Sequence, residues 1–234
     1  MLPWRAVELH HAKLIAFDND GTLYPAGPAV GEIVLSAHRE YVKLHGLDIP
    51  TPDRQWLNYM IGADAKEFYA AMMPGQPDNV RQEFEDFCLD YELQAVREHP
   101  YMYDGAEAIL TALHGAGRRL VLVTNGGPTY VKNIWDICGY GRFFDGCYPY
   151  GPPDFATKGE RLAQAVAEFG NPPAVMVGDR LSDVEAAREA GTGFIGCAYG
   201  YCQPGELDSA ETVINNISEL YNLLLAPKER NDDA

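Results

Sequence analysis

The sequence predicts an α/β protein, a doubly wound parallel sheet with an inserted all-helical segment, on three observations. Short apolar segments recur, each closes on a polar turn, and each turn runs into a stretch with helical spacing, which is the pattern of a parallel sheet. One long segment, from about Pro25 to Met102, breaks that rhythm and reads as helices alone. At 234 residues the chain has room for a core and a smaller insert.

In chain order, Lys13 to Phe17 (KLIAF) ends at Asp18 and suits a buried strand. In the segment that follows, Ile33 to His45 and Val80 to Arg97 place apolar residues three and four apart with little strand character. Hinges near Tyr24-Pro25 and Tyr103-Asp104-Gly105 are expected to bound a helical cap over residues 25–103, leaving 1–24 and 104–234 as the α/β core. Leu120 to Val123 ends at Thr124-Asn125-Gly126-Gly127 and leads to a helix over Thr129 to Ile137. Ala174 to Val177 ends at Gly178-Asp179 and leads to a helix over Val184 to Ala190. Cys147 to Tyr150 and Phe194 to Ala198 are weaker strand candidates, and the terminal KERNDDA is expected to fray.

Charge excludes one class of partner. With 18 Lys+Arg against 34 Asp+Glu, a net −16, the chain does not suit a nucleic-acid backbone, whose binding draws on clustered cations. No long apolar run marks a membrane span and the N-terminus lacks the order of a secretory signal, so a soluble, cytoplasmic protein is expected, monomer or homodimer. The five cysteines are widely spread without a CxxC pair, so no disulfide framework or zinc site is indicated. The histidines show no ligand spacing.

Four clusters carry chemistry. Asp18 and Asp20 leave the end of the first strand two positions apart, so one carboxylate can attack while the other handles a proton. Thr124 offers a hydroxyl to an anion, and Gly126-Gly127-Pro128 opens a helix whose backbone N–H groups suit a phosphate, with Pro128 in the first turn. Thr157-Lys158-Gly159-Glu160 reads as a capping box with Thr157 as N-cap, which puts the Lys158 cation where the helix dipole disfavours it unless an anion is near. Gly178-Asp179 and Asp183 supply hard oxygen ligands suited to magnesium, although Ser182 and Glu185 also read as a capping box that would make Asp183 a helix-starting acid.

Taken in order, Asp18-Asn19-Asp20-Gly21-Thr22-Leu23, Thr124-Asn125, Lys158, and Gly178-Asp179 with Asp183 resemble the four motifs of the haloacid dehalogenase superfamily, over roughly Phe17 to Gly191. The resemblance implies a Rossmann-like core and a magnesium-dependent phosphatase acting on a small phosphorylated metabolite. It implies that Asp18 attacks phosphorus to form an aspartyl-phosphate and that Asp20 protonates the leaving oxygen and then activates water. It further implies Mg²⁺ held by Asp18, the Asp20 backbone carbonyl and Asp179 with Asp183 in support, and Thr124, Asn125, Gly126 and Lys158 at the phosphoryl oxygens. The position of the insert is similar to the helical cap of the subgroup with phosphoglycolate phosphatases and β-phosphoglucomutases, where the loop Met60 to Lys66 would face the substrate and Lys66 or Arg54 is a specificity candidate. Gly159 departs from the proline many relatives carry after the lysine.

Rivals remain. A dehalogenase lacks an acid/base carboxylate where Asp20 stands, and a phosphonatase needs a Schiff-base lysine in the cap, for which Lys43 and Lys66 are available. A phosphomutase of the β-phosphoglucomutase type shares the core chemistry. A phospho-accepting receiver-like signalling domain is much shorter and has no helical insert.

Overall fold

The structure, a computed structural model, describes residues 8–152 and 154–225; the KERNDDA tail expected to fray lies outside them. Strand β1 (Leu14–Phe17) is apolar and buried throughout. Four helices follow it: α1 (Ala26–Leu44), α2 (Arg54–Met60), α3 (Ala65–Met72) and α4 (Asp78–Glu98). The chain then alternates through α5 (Ala106–Gly115), β2 (Arg119–Val123), α6 (Pro128–Ile137), β3 (Gly146–Tyr148), α7 (Lys158–Glu168), β4 (Ala174–Gly178), α8 (Leu181–Ala190), β5 (Gly193–Cys197), β6 (Thr212–Ile214) and α9 (Leu220–Leu224).

All six strands are parallel, in the order β3-β2-β1-β4-β5-β6. Phe17 at the end of β1 therefore stands beside Leu122 of β2 and Val177 of β4. Alternate strand residues feed opposite faces. Ile15, Phe17, Leu122 and Val177 join the core packed by α5, α6 and α9, while Leu14, Ala16, Val123 and Met176 pack with Leu162 of α7 and Val184 of α8. Helices on both faces make the sheet doubly wound, as the recurring strand and helix pattern requires. The strand order reverses between β1 and β4, and the crevice outside the carboxyl ends at such a point is where open α/β sheets bind ligands.

Helices α1 to α4 build their own apolar contacts. Tyr41 of α1 meets Phe84 of α4, which also packs edge-on to Tyr69 of α3. His38 is satisfied in this interior, its ring nitrogens reaching Thr51 Oγ1 at 3.1 Å and the Met72 carbonyl at 3.0 Å. The helices are tied to the sheet where the chain leaves and returns. Tyr103 N–H donates to the Leu23 carbonyl at 2.8 Å, and Tyr24 Oη donates to the His99 carbonyl at 3.1 Å.

Two local outcomes explain details of the sequence. A Cβ on Gly159 would stand 2.7 Å from Glu189 Cβ, so α7 and α8 approach too closely there for any side chain. The capping box expected at Ser182 and Glu185 does not form. Helix α8 starts earlier, with Arg180 at the N-cap and Asp183 at the third position, where its Oδ2 accepts from Arg180 N–H at 2.9 Å. Ser182 is already inside the first turn and so is not a cap.

Candidate active site

Three strand ends and one helix start converge at the switch point. Asp18 follows β1, donates its N–H to the Val177 carbonyl at 2.9 Å, and is buried. Asp179 follows β4, with Thr22 Oγ1 donating to its Oδ1 at 3.1 Å and Tyr201 N–H to its Oδ2 at 2.6 Å. A Cβ on either Gly21 or Gly200 would lie 2.3 Å from Asp179 Oδ2, so the carboxylate is seated against bare backbone. Lys158 opens α7 behind the Thr157–Glu160 capping box, both halves of which are made.

The cation disfavoured by its helix start has the anions it needs. Lys158 Nζ donates to Asp18 Oδ1 at 2.6 Å and stands equally 2.6 Å from Asp183 Oδ1, there as an ion pair without hydrogen-bond geometry. Burial opposes the Lys158 charge, but Asp18 and Asp183 together outweigh it and raise its pKa. Burial, only partly offset by Lys158, pushes Asp18 up to about 7, and burial with the neighbouring carboxylates raises Asp179 well above the ordinary range.

Asp18, Asp179 and Asp183 bring carboxylate oxygens within 4.8 Å of one another, all buried. Three carboxylates against one ammonium leave negative charge uncompensated in a dry site, and hard oxygen donors of this kind fit a small divalent cation. The carboxylate of Asp20 is not in this group. A second cluster, Glu8 with His10 and His11, also falls within 4.8 Å, but at the surface, where Glu8 pairs with His10 at 3.5 Å and His11 at 3.2 Å.

Asp20 turns instead toward α6. Tyr130 Oη donates to its Oδ1 at 2.7 Å and Asn19 Nδ2 at 2.9 Å. Burial pushes Asp20 up to about 6 against these hydrogen bonds, so its carboxyl holds a proton closer to neutrality than an ordinary aspartate. Tyr130 carries no motif signature, and only its one-turn distance from the Gly126-Gly127 turn hints at a role.

The Thr124 motif is partly structural. Thr124 is buried with its Oγ1 accepting from Gly126 N–H at 3.2 Å, so that N–H, expected to face an anion, already has a partner. Asn125 is engaged at both ends of its amide, donating to the Gly62 carbonyl at 3.0 Å and accepting from Arg161 at 2.7 Å. It therefore ties the loop after α2 to the sheet. Arg180 does likewise, donating to the carbonyls of Tyr59, at 3.1 Å, and Ile61.

Between this site and helices α1 to α4 lies a cavity of about 140 Å³, lined by Asp18, Asp20, Asn125, Gly126 and Tyr130 on the sheet side. Met60, Ile61, Gly62, Ala63 and Ala65 of the expected loop do face it. Lys66 does not, being exposed, and Arg54 pairs with Glu32 at 2.8 Å on the surface. Neither specificity candidate reaches the cavity, because each falls on the outer side of its helix.

Three residues of α4 do reach it, Leu89 and the two acids Glu85 and Glu92. Glu92 lies in the row Phe84, Cys88, Glu92, Ala95 that the helix buries, a position where the pattern calls for an apolar residue. That misfit is the signal by which the sequence marks it. Burial pushes Glu92 up to about 8 from 4.5. Between those two values the unfolded chain has lost the proton while the folded chain keeps it, so stability falls as pH rises across this window. In thermal melts with chelator, Glu92→Gln is expected to lose less stability than the native chain between pH 5 and pH 8; parallel curves would contradict the burial of this carboxyl.

Among curated relatives, N-acetylmuramic acid 6-phosphate phosphatase of Pseudomonas aeruginosa is 28% identical over 229 residues, 91% of this chain and 94% of that protein. Phosphoglycolate phosphatase of Pseudomonas fluorescens is 27% identical, over 92% of this chain and 80% of the other. Among solved structures, CbbY from Rhodobacter sphaeroides in complex with phosphate shares the fold with a TM-score of 0.73 at 21% identity, over 89% of this chain and 96% of that one. Residues 12–191 match the haloacid dehalogenase-like hydrolase family. With the strand order and the four clusters drawn to one crevice, that match over most of the length means that the chain belongs to the haloacid dehalogenase-like hydrolases.

Proposed function

We propose that this hydrolase is a magnesium-dependent phosphatase that releases phosphate from a small phosphorylated metabolite through an aspartyl-phosphate on Asp18. The observation that carries the reading is Lys158 bridging Asp18 and Asp183 at 2.6 Å each, with Asp179 alongside in a buried site. A phosphate dianion approaching a chain of net charge −16 needs local positive charge, and among the described residues this is the one place where buried carboxylates are grouped to gather it.

In this reading Asp18 attacks phosphorus while Asp20 gives its proton to the leaving oxygen, so that the alcohol departs neutral. Asp20, now ionised, takes a proton from water as it attacks the aspartyl-phosphate, which restores the Asp18 carboxylate and the Asp20 carboxylic acid and frees phosphate. Lys158 and Thr124 hold phosphoryl oxygens, and Asn125 and Gly126 shape the approach. Asp18, Asp179, Asp183 and the Asp20 carbonyl would hold Mg²⁺, which when bound neutralises charge on the phosphoryl group. Residues 25–103 act as a cap that excludes water and frames the leaving group. No helix among the described residues is long and apolar enough to cross a membrane, in keeping with a cytoplasmic enzyme.

The testing experiment is phosphate release from a panel of phosphate monoesters in Mg²⁺ and in EDTA. Turnover in Mg²⁺ that EDTA abolishes is expected; equal turnover in both would overturn the metal assignment. Tyr130→Phe removes the donor that aims Asp20 and is expected to lower kcat roughly tenfold with KM little changed. An unchanged kcat would mean that Asp20 is oriented by Asn19 alone.

A further inference from the structure

Among the described residues the cavity is lined by four carboxylates, Asp18 and Asp20 from the sheet side and Glu85 and Glu92 from α4, and by no Lys, Arg or His. The rest of its helix side is apolar, with Val30, Val34, Leu57, Met60, Phe68 and Leu89. The nearby cations are committed elsewhere. Lys158 sits against Asp18 and Asp183, Arg161 donates to the Thr124 and Tyr148 carbonyls, and Arg180 pairs with Glu206 at 3.0 Å. Positive charge is thus confined to the phosphoryl end, and the far end offers acids, hydrocarbon and the Tyr69 hydroxyl.

Glu92 gives the far end a specific feature. It is 6% exposed, and Tyr69 Oη donates to its Oε1 at 3.0 Å, while Oε2 is buried with no hydrogen-bond partner. Leaving such an atom unpaired costs roughly 1–3 kcal/mol, so a group that completes it is favoured. A second anion there would face Glu85 and Asp20 at low dielectric with no counter-charge. A hydroxyl both donates and accepts, and satisfies Glu92 in either protonation state. The volume, about 140 Å³, is near that which holds one six-membered ring.

Resting on the phosphatase reading above, we propose that the α4 end of this cavity selects phosphate monoesters whose alcohol part is uncharged and hydroxylated. The Glu92 carboxyl, which lines that end, is the hydrogen-bond partner of a leaving-group hydroxyl, and esters whose alcohol part carries a carboxylate or second phosphate are disfavoured. Glu92 is a specificity residue in this account and takes no part in the chemical step.

The test compares kcat/KM of the full chain with Mg²⁺ on matched pairs: glycerol phosphate against phosphoglycerate, and a hexose monophosphate against its bisphosphate. A p-nitrophenyl phosphate assay reports the core reaction. The uncharged member of each pair is expected to be favoured roughly tenfold or more. Glu85→Lys, at a half-buried position that tolerates a long side chain, supplies the missing cation and should narrow that ratio roughly tenfold. Glu92→Leu should lower kcat/KM for glycerol phosphate more than for p-nitrophenyl phosphate, with a thermal melt confirming the fold. Equal or better turnover of the anionic members, with p-nitrophenyl phosphate hydrolysed in an Asp18-dependent way, would overturn this inference and leave the phosphatase standing. No hydrolysis of any ester would overturn both.

Discussion

Asp18→Asn is expected to cut phosphate release by roughly a thousandfold or more while leaving the fold intact. The amide keeps the size and one acceptor oxygen of the carboxylate, so the strand end and the Lys158 contact survive, but it does not form the acyl-phosphate. Stability should not fall with activity. Burial holds Asp18 at about 7, above its ordinary 3.8, so ionising it above that range opposes folding, and Asn removes that cost. In chelator at pH 8 the variant should therefore melt at the same temperature as the native chain or higher. Loss of turnover with loss of folding would leave Asp18 as a packing residue, and turnover that survives the substitution would remove it as nucleophile.

Lys158→Met carries the second large effect, on stability as well as rate. The ammonium is buried between Asp18 and Asp183, and its removal leaves those carboxylates with Asp179 and no cation. Deleting one partner of a buried ion pair costs about 3–5 kcal/mol, here with a third acid nearby to enlarge the repulsion. Denaturant unfolding in EDTA should show a loss of that order, and Mg²⁺ should restore part of it, because the acids are those that would hold the metal. Phosphate release should drop at least about a hundredfold. A variant as stable as the native chain in EDTA would mean that Lys158 is not the counter-ion of these carboxylates.

The sheet was legible in sequence wherever burial on both faces makes a continuous apolar run, as in β1, β2 and β4. Strands β3 and β5 begin at Gly146 and Gly193, residues that an apolar pattern does not mark. Strand β6 has three residues and buries only Ile214, too little for any periodicity to register. Helix α5, which follows the Tyr103-Asp104-Gly105 hinge, goes unmarked although Ala106, Ile109, Leu110 and Leu113 are buried at helical spacing. The ionisable cluster was legible because Asp18, Lys158 and Asp179 sit at strand ends or a helix start, positions that short motifs report.

The cavity was not legible in the same way. Glu92 is marked only by its place in the apolar row of α4, and Glu85, at a half-buried position, carries no such mark. Lys66 and Arg54 looked better placed because cations suit a phosphorylated substrate, yet both lie on outer faces. Asn125 read as a phosphate contact and instead spends its amide on Gly62 and Arg161. Such commitments depend on residues distant in sequence.

The stereochemical course at phosphorus tests the central claim most directly. With a phosphorothioate monoester made chiral at phosphorus by oxygen isotopes and hydrolysed in isotopically labelled water, attack by Asp18 followed by attack of water makes two in-line displacements, so the thiophosphate released should retain configuration. Inversion would mean a single direct attack by water and would contradict the covalent role of Asp18.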